Sequence, residues 1–212
     1  MADRNYSLEE EHPRSRILDA SRKLFAELGY ERTTVSLICK QAGVNRAMVS
    51  YYYGGKPALF RQIIELSNMR FLNRLREGVY NEKGADKRLR AFLEYTVEFY
   101  LFEPEVTEII ARELGSNFAH VGDVLERYFI QVMAIITDVI QEGMDTGLFD
   151  KSKSPIHIAY FVFGAVNSYF VVHRILKKTN VVPLINPENK ERITEYLYHL
   201  IHKGISRDET PA

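Results

Sequence analysis

The stretch from Val35 to Tyr53 constrains the fold most, because it has the pattern of two short helices joined at a glycine. Thr34 and Asn45 each precede one of these helices, and their side-chain oxygens can accept hydrogen bonds from the free amides of a first helical turn. Gly43 lies between them, where a helix end usually needs a positive φ that glycine adopts without steric cost. Two caps and one glycine predict a helix, a turn and a second helix.

The second predicted helix carries residues on its outer face that suit the major groove of DNA. Arginine can pair with guanine through two hydrogen bonds, small side chains can contact a thymine methyl group, and tyrosine hydroxyls commonly bind phosphates. Lys56 stands at the start of the next helix, beside Pro57, where it would hold a phosphate at a positive helix end. The predicted DNA-binding residues are Thr34, Ser36, Asn45, Arg46, Ala47, Ser50, Tyr51, Tyr52 and Lys56.

These segments resemble the DNA-binding signature of TetR-family transcriptional regulators. The residues that carry the resemblance are Thr33-Thr34-Val35, Gln41-Ala42-Gly43-Val44-Asn45 and Tyr52-Tyr53-Gly54-Gly55-Lys56-Pro57-Ala58-Leu59-Phe60. The resemblance is specific over about residues 13 to 61. It implies a homodimer formed through the last two long helices and a body that binds a small effector.

The chain departs from the family pattern at several positions. Asn45 replaces the usual serine cap, Tyr53 replaces a phenylalanine, and Pro57 replaces an acidic residue. Ser50 stands where a tyrosine is common, so that a frequent aromatic contact to the DNA backbone is missing there. Tyr51 or Tyr52 could supply that contact instead.

Charge is divided unevenly along the chain, although the formal net charge of all 212 residues is zero. Residues 13 to 61 contain nine Lys/Arg and three Asp/Glu, a net charge of +6, and the rest of the chain therefore carries −6. A basic segment on an acidic body is expected of a module that faces phosphates. A solvated basic face without a partner would give the same pattern.

Apolar residues recur at helical spacing through the rest of the chain, and only 12 glycines and 7 prolines interrupt them. We therefore predict an all-α protein with a disordered tail at 1–12 and a three-helix DNA-binding domain at 13–61. A long helix from Leu59 to about Val79 leads into a helical effector-binding and dimerisation domain at 62–205, and residues 206–212 form a second tail.

The segment from Pro155 to Lys178 is apolar on nearly every face, which predicts burial all round. A membrane span is the alternative, but His157, Asn167 and Ser168 interrupt the run. We expect instead that one face packs on the core and the other on a partner chain. With a last helix at 187–205, capped by Asn186, this segment would form half of a four-helix dimer seam.

The body is rich in aromatic residues on helices that could enclose an effector cavity or simply form an aromatic core. An apolar or aromatic small molecule is the expected effector. The predicted ligand-binding residues are Tyr95, Phe99, Arg112, Tyr128, Phe163 and Asn167.

Signatures of catalysis, cofactor binding and metal binding were not found, since the chain has no phosphate-binding glycine loop and no His-Glu-x-x-His motif. Glu195, His199 and His202 share one helical face, a pattern that unselected surface residues often produce. With one cysteine and no signal-like start, the chain is expected to be cytoplasmic. The predicted function is a homodimeric, effector-modulated repressor that binds a palindromic DNA operator. An all-α interaction module that does not bind DNA and a small-molecule enzyme are the alternatives.

Overall fold

The computed structural model of the protein describes residues 12–176 and 185–206, and these ranges are helical apart from short connections. An isolated β-bridge joins Phe149 to Ser206. The predicted all-α fold is confirmed. Apart from His12 and Ser206, the two predicted tails lie outside the described residues. The helices are α1 (Pro13–Arg32), α2 (Val35–Ala42), α3 (Arg46–Tyr53), α4 (Lys56–Asn81), α5 (Ala85–Phe102), α6 (Pro104–Gly115), α7 (Gly122–Asp145), α8 (Pro155–Leu176) and α9 (Lys190–Ile205).

The predicted caps and the predicted glycine turn of the helix-turn-helix are confirmed. The Thr34 side chain accepts a hydrogen bond from the backbone amide of Leu37 at 3.2 Å, and this bond caps α2. Asn45 caps α3 in the same way, accepting from the amide of Met48 at 3.1 Å. Gly43 ends α2 in the left-handed conformation with φ of 63°, where any side chain would be strained.

The replacement of a phenylalanine by Tyr53 has a structural reason. The ring is buried at the end of α3, and its hydroxyl donates a hydrogen bond of 2.7 Å to the backbone carbonyl of Arg14 near the start of α1. Burial also raises the pKa of this phenol, so that it stays protonated as a donor. Tyr53 therefore ties the first helix to the third while it fills the core between them.

Helix α4 connects the predicted DNA-binding domain at 13–61, hereafter the head, to the helices that follow, hereafter the body. Its 26 residues span about 39 Å at 1.5 Å per residue. It packs against α1 and α3 and also against α5 and α7. Its buried apolar residues are Leu59, Phe60, Ile63, Ile64, Phe71, Leu72, Leu75 and Val79. This single rigid element can transmit a displacement in the body to the head.

The body is built around α5, which packs against α4, α7 and α9, while α7 packs against α8. The predicted helix at 187–205 needs a correction at its start. Asn186 accepts from the amide of Asn189 at 3.1 Å, so it caps a 3-10 turn at Pro187–Asn189, and the α-helix begins only at Lys190. For the predicted helix at 155–178, the final residues 177 and 178 lie outside the described ranges.

Gly143 lies inside α7 directly under the buried ring of Phe149, and a Cβ added there would come within 2.0 Å of that ring. We expect Gly143→Ala to destabilise the protein by about 1–3 kcal/mol, because the ring must move within a packed core. Gly204→Ala is the matched control, since Gly204 is helical but has open space around it. Thermal unfolding of both variants tests the packing, and equal melting temperatures would contradict it.

Candidate DNA-binding surface and effector cavity

The outer face of α3 projects from the protein. Tyr51 is 82% exposed, and Arg46, Ala47 and Ser50 are exposed beside it. The opposite face is fixed in the core by Val49 and Tyr53, which are both buried. Because this short helix is capped at its start and anchored on its inner face, its outer side chains are presented from a rigid support.

The remaining predicted DNA-binding residues lie at the start of α2, at the cap of α3, within α3 and at the start of α4. Thr34 and Ser36 are exposed at the start of α2, and Asn45 is exposed at the cap of α3. Tyr52 is half-buried, and the edge of its ring meets the rings of Tyr51, at 5.0 Å between centroids, and His12, at 5.6 Å. These side chains therefore lie at or near the surface of the head, with Tyr52 packed beside Tyr51.

Lys56 lies at the first turn of α4, and its Nζ stands 4.0 Å above the centroid of the Tyr30 ring. The imidazole of His120 also packs on the Tyr30 ring, and the two ring centroids are 4.0 Å apart. This imidazole interacts through Nδ1 with Glu113 of α6 at 2.9 Å and through Nε2 with Glu31 at 3.0 Å. A continuous set of contacts thus links a predicted phosphate-binding lysine to the body. Tyr30, Glu31 and His120 were not identified from the sequence.

Arg112 was predicted to bind an effector, and the structure puts it elsewhere. Its guanidinium donates to the carbonyl oxygens of Ala26 at 2.9 Å and Glu27 at 3.3 Å. These carbonyls belong to the last turn before the helical path of α1 breaks at Gly29, where φ is 78° and helix carbonyls lose their usual donors. Arg112 therefore joins α6 to the DNA-binding head.

Two further ion pairs join the head to the body. Arg22 of α1 pairs with Glu103, at the start of α6. Arg61 of α4 pairs with Asp123 of α7. Together with Arg112 and His120, these contacts attach the head to α6 and α7 as well as to α4.

The contacts of His120 predict a pH dependence of stability. Burial lowers the pKa of the imidazole, but hydrogen bonds to Glu113 and Glu31 outweigh burial, and the net pKa is raised above its usual value of 6.5. A raised folded-state pKa contributes stability that is fully present below about pH 6.5 and is lost as pH rises through the folded-state value. We expect the melting temperature of the wild-type protein to fall more than that of His120→Gln as pH rises above about 6.5. Parallel curves for the two proteins would contradict this role.

An enclosed cavity of about 30 Å³ lies in the body, and four of the six predicted ligand-binding residues line it. They are Phe99, Tyr128, Phe163 and Asn167. The Tyr100 hydroxyl donates to Oδ1 of Asn167, whose Nδ2 donates to the Phe163 carbonyl at 2.7 Å. Tyr128 is buried, and burial raises its pKa well above the usual value. The lining is therefore aromatic, uncharged and hydrogen-bonded.

This cavity is far smaller than the roughly 300–1,000 Å³ typical of small-molecule sites. A ligand must therefore displace side chains to enter. Tyr95, the remaining predicted residue, lines a neighbouring cleft of about 370 Å³ between α4 and α5. Its ring lies against Gly78 of α4, where an added Cβ would come within 1.8 Å of it.

Within the described ranges, no group of three or more side chains is arranged to hold a metal ion. On the face of α9 considered above, Glu195 pairs with Arg90, and His202 lies 3.1 Å from Asp86.

One helical segment in these ranges, Pro155–His173, is long and apolar enough to cross a membrane, and 28% of it is buried.

An exposed, capped recognition helix on a head that a long helix joins to an α-helical body defines a helix-turn-helix DNA-binding regulator. The family described as "Bacterial regulatory proteins, tetR family" matches residues 17–63, and "Tetracyclin repressor-like, C-terminal domain" matches residues 86–201. The second match alone covers more than half of the chain. The protein belongs to the TetR family of transcriptional regulators.

Similar proteins include transcriptional regulators and a repressor. The HTH-type transcriptional regulator UidR of Escherichia coli K12 is 24% identical over 143 residues, which are 68% of this chain and 72% of UidR. The HTH-type transcriptional repressor NicS of Pseudomonas putida is 23% identical over 197 residues, 92% of each chain. Solved structures with the same fold include the ketosteroid regulator KstR2 of Mycobacterium tuberculosis, with a TM-score of 0.77, 16% identity and coverage of 96% of this chain and 100% of KstR2. FadR of Bacillus subtilis, solved with stearoyl-CoA, has a TM-score of 0.75, 18% identity and coverage of 90% and 98%.

Proposed function

We propose that this regulator is a homodimeric repressor, acting in the cytoplasm, that binds a palindromic operator through two copies of α3 and responds to a small-molecule effector. The observation that carries the proposal is the geometry of α3. Its outer face is exposed, and its inner face is fixed in the core by Val49 and Tyr53. Sequence is read from base edges, so Arg46, Ala47 and Ser50 are the residues proposed to contact bases. Thr34, Ser36, Asn45, Tyr51, Tyr52 and Lys56 are proposed to contact the DNA backbone or to position these residues.

An apolar face on α8 and α9 supports the dimer. Large apolar side chains stay exposed along both helices, and such a contiguous patch usually marks an interface. They are Ile156, Tyr160, Phe161, Val171 and Val172 on α8, and Tyr196 and Leu200 on α9. We propose that a second copy covers this face in a four-helix seam, which also accounts for the low burial of α8 without a membrane.

Relatives support the repressor and effector parts of the proposal. NicS is a transcriptional repressor, KstR2 is a ketosteroid transcriptional regulator, and FadR was solved with stearoyl-CoA. In this chain, Phe99, Tyr128, Phe163 and Asn167 are the residues proposed to meet an apolar or aromatic effector first. Tyr95 is proposed to line the approach of the effector. Arg112 is not proposed as an effector contact, because its guanidinium bonds to the Ala26 carbonyl.

Helix α4 provides the mechanism. Two recognition helices must lie about 34–36 Å apart, or a multiple of this, to enter successive major grooves. An effector that displaces α4 in the body would tilt the head and change that spacing. By thermodynamic linkage DNA and effector then oppose each other, with a coupling of about 1–3 kcal/mol.

DNA binding itself is tested by titrating purified protein into random-sequence duplex at two salt concentrations. We expect binding that weakens steeply with salt, because basic residues of the head displace counterions from phosphates. Absence of binding at low salt would favour the alternative, an all-α protein-interaction module. Turnover of a captured small molecule would favour an enzyme instead.

Lys56→Ala should weaken binding to every duplex by a similar factor and reduce the slope of log affinity against log salt by about one. The reason is the loss of one phosphate contact at the start of α4. Lys56→Arg is the control, since it keeps the charge and should keep the slope. An unchanged slope in Lys56→Ala would contradict the phosphate role.

A further inference from the structure

Asn68 is a buried polar side chain in the middle of α4 without a visible partner. It is 3% exposed, and neither Oδ1 nor Nδ2 makes a hydrogen bond with any residue that the structure describes. An amide removed from water without hydrogen bonds costs stability, and such groups are uncommon in folded proteins. A residue that weakens its own helix in this way is a candidate for binding something else.

Asn68 is one of the residues around a cleft of about 370 Å³ between α4 and α7, and its amide atoms are covered, so a ligand in the cleft reaches them only when neighbouring side chains move. Met69, Leu72 and Val124 give this cleft apolar walls. Tyr128 lines both the cleft and the enclosed aromatic cavity, so its ring is a wall that the two spaces share. Displacement of this one ring would join them into a space of the size typical of small-molecule sites.

Among the charges at the rim, those of Arg127, Asp123 and Glu65 compensate one another within the protein. Arg127 lies 3.4 Å from Asp123 and 3.7 Å from Glu65. Arg76 donates to the side-chain oxygen of Gln131 at 3.4 Å. A carboxylate ligand would have to compete for Arg127 and has no donor for Oδ1 of Asn68, whereas a neutral amide leaves the Arg127 contacts in place.

We propose that the α4–α7 cleft binds the neutral carboxamide or lactam group of an aromatic or alicyclic ligand, which pairs with Asn68 while its ring reaches toward Tyr128. The asparagine amide offers one acceptor and two donors in a plane, and a carboxamide or lactam returns one donor and one acceptor in the same geometry. Both orphaned atoms of Asn68 would then be satisfied. This inference rests on the proposed function, because it identifies the effector class and its contact on α4.

The position of Asn68 gives the contact a direct regulatory effect. Asn68 lies in the middle of the helix that begins at Lys56, and this helix packs on α5 and α7. A ligand wedged between α4 and α7 therefore acts on the element that carries the head. Proteins with and without the ligand would differ in the tilt of α4.

Two probes of nearly equal shape test the pairing: 3-phenylpropanamide and 4-phenylbutan-2-one, in which a methyl group replaces the amide nitrogen. We expect the amide to bind the full-length protein about tenfold more tightly by titration calorimetry, since only the amide can satisfy Oδ1 of Asn68. Equal affinities, or no binding of the amide at millimolar concentration, would overturn the proposal.

Asn68→Leu should abolish the preference for the amide and raise the melting temperature, because an apolar side chain of equal size replaces an unsatisfied amide. Ser67→Ala is the matched control. Ser67 is also buried and its hydroxyl has no described partner, but it lines the cleft between α4 and α5, so the preference should remain. A lower melting temperature for Asn68→Leu, or a lost preference in Ser67→Ala, would overturn the assignment.

The outcomes separate this inference from the proposed function. A protein that binds DNA but does not distinguish the two probes keeps the proposed function and loses the ligand assignment. A protein that distinguishes the probes through Asn68 but does not bind DNA keeps the ligand site and loses the proposed function.

Discussion

Phe161→Glu is expected to make the protein monomeric and to remove specific operator binding. Phe161 lies in the apolar face of α8 and is 64% exposed in the single chain. A charge buried there without a partner costs at least about 2 kcal/mol, and a twofold interface contains it twice. The resulting loss of about 4 kcal/mol raises the dimer dissociation constant close to a thousandfold. Analytical ultracentrifugation and operator titration measure the two effects.

Phe102→Glu is the matched control for this change. Phe102 is an aromatic residue of similar exposure, 55%, but it ends α5 outside the α8–α9 face. This variant should remain dimeric. If Phe161→Glu stayed dimeric as well, the four-helix seam would be wrong, and the apolar face of α8 would need another occupant.

Arg46→Ala is expected to cost about 1–3 kcal/mol of specific binding and to relax the preference at one base pair in each half-site. Arg46 is exposed at the first position of α3, where the N-terminal part of a recognition helix meets base edges. Loss of its guanidinium removes the proposed pairing with guanine. Binding to a panel of operators with every base at each position measures the change.

Lys40→Ala is the comparison for Arg46→Ala, since Lys40 is an exposed basic residue on α2. It removes the same charge without removing a proposed base contact. We expect at most a uniform loss of affinity with an unchanged base preference. If both variants weakened all sequences equally, Arg46 would be a backbone contact and another residue of α3 would read the sequence.

The helix-turn-helix was predictable from the sequence because its determinants are local. Thr34 and Asn45 bond to amides three residues further along, and Gly43 is needed for a backbone conformation at its own position. Local interactions of this kind leave a direct pattern in the chain. The apolar character of α8 was readable as well, because it is a property of the segment's own composition.

The roles that could not be predicted from the sequence depend on contacts between residues far apart in the chain. Arg112 was assigned to an effector because it adjoins an apolar run, but its partners are carbonyl oxygens more than eighty residues earlier in the chain. His120 gave no periodic signal because it lies in the connection between α6 and α7. Asn68 gave none because it is a single polar residue among the apolar positions of α4. Only the packing of α6 and α7 against the head and α4 gives these residues a role.

The central claim is that two copies of α3 read an inverted repeat, and selection of bound duplexes from a random-sequence pool tests it most directly. Sequencing of the duplexes retained by wild-type protein should yield two half-sites related by a twofold axis, with centres about one helical turn apart. The stoichiometry should be two chains per site or a multiple of two. Enrichment of a single unrepeated element by one chain, or no enrichment at all, would contradict the account.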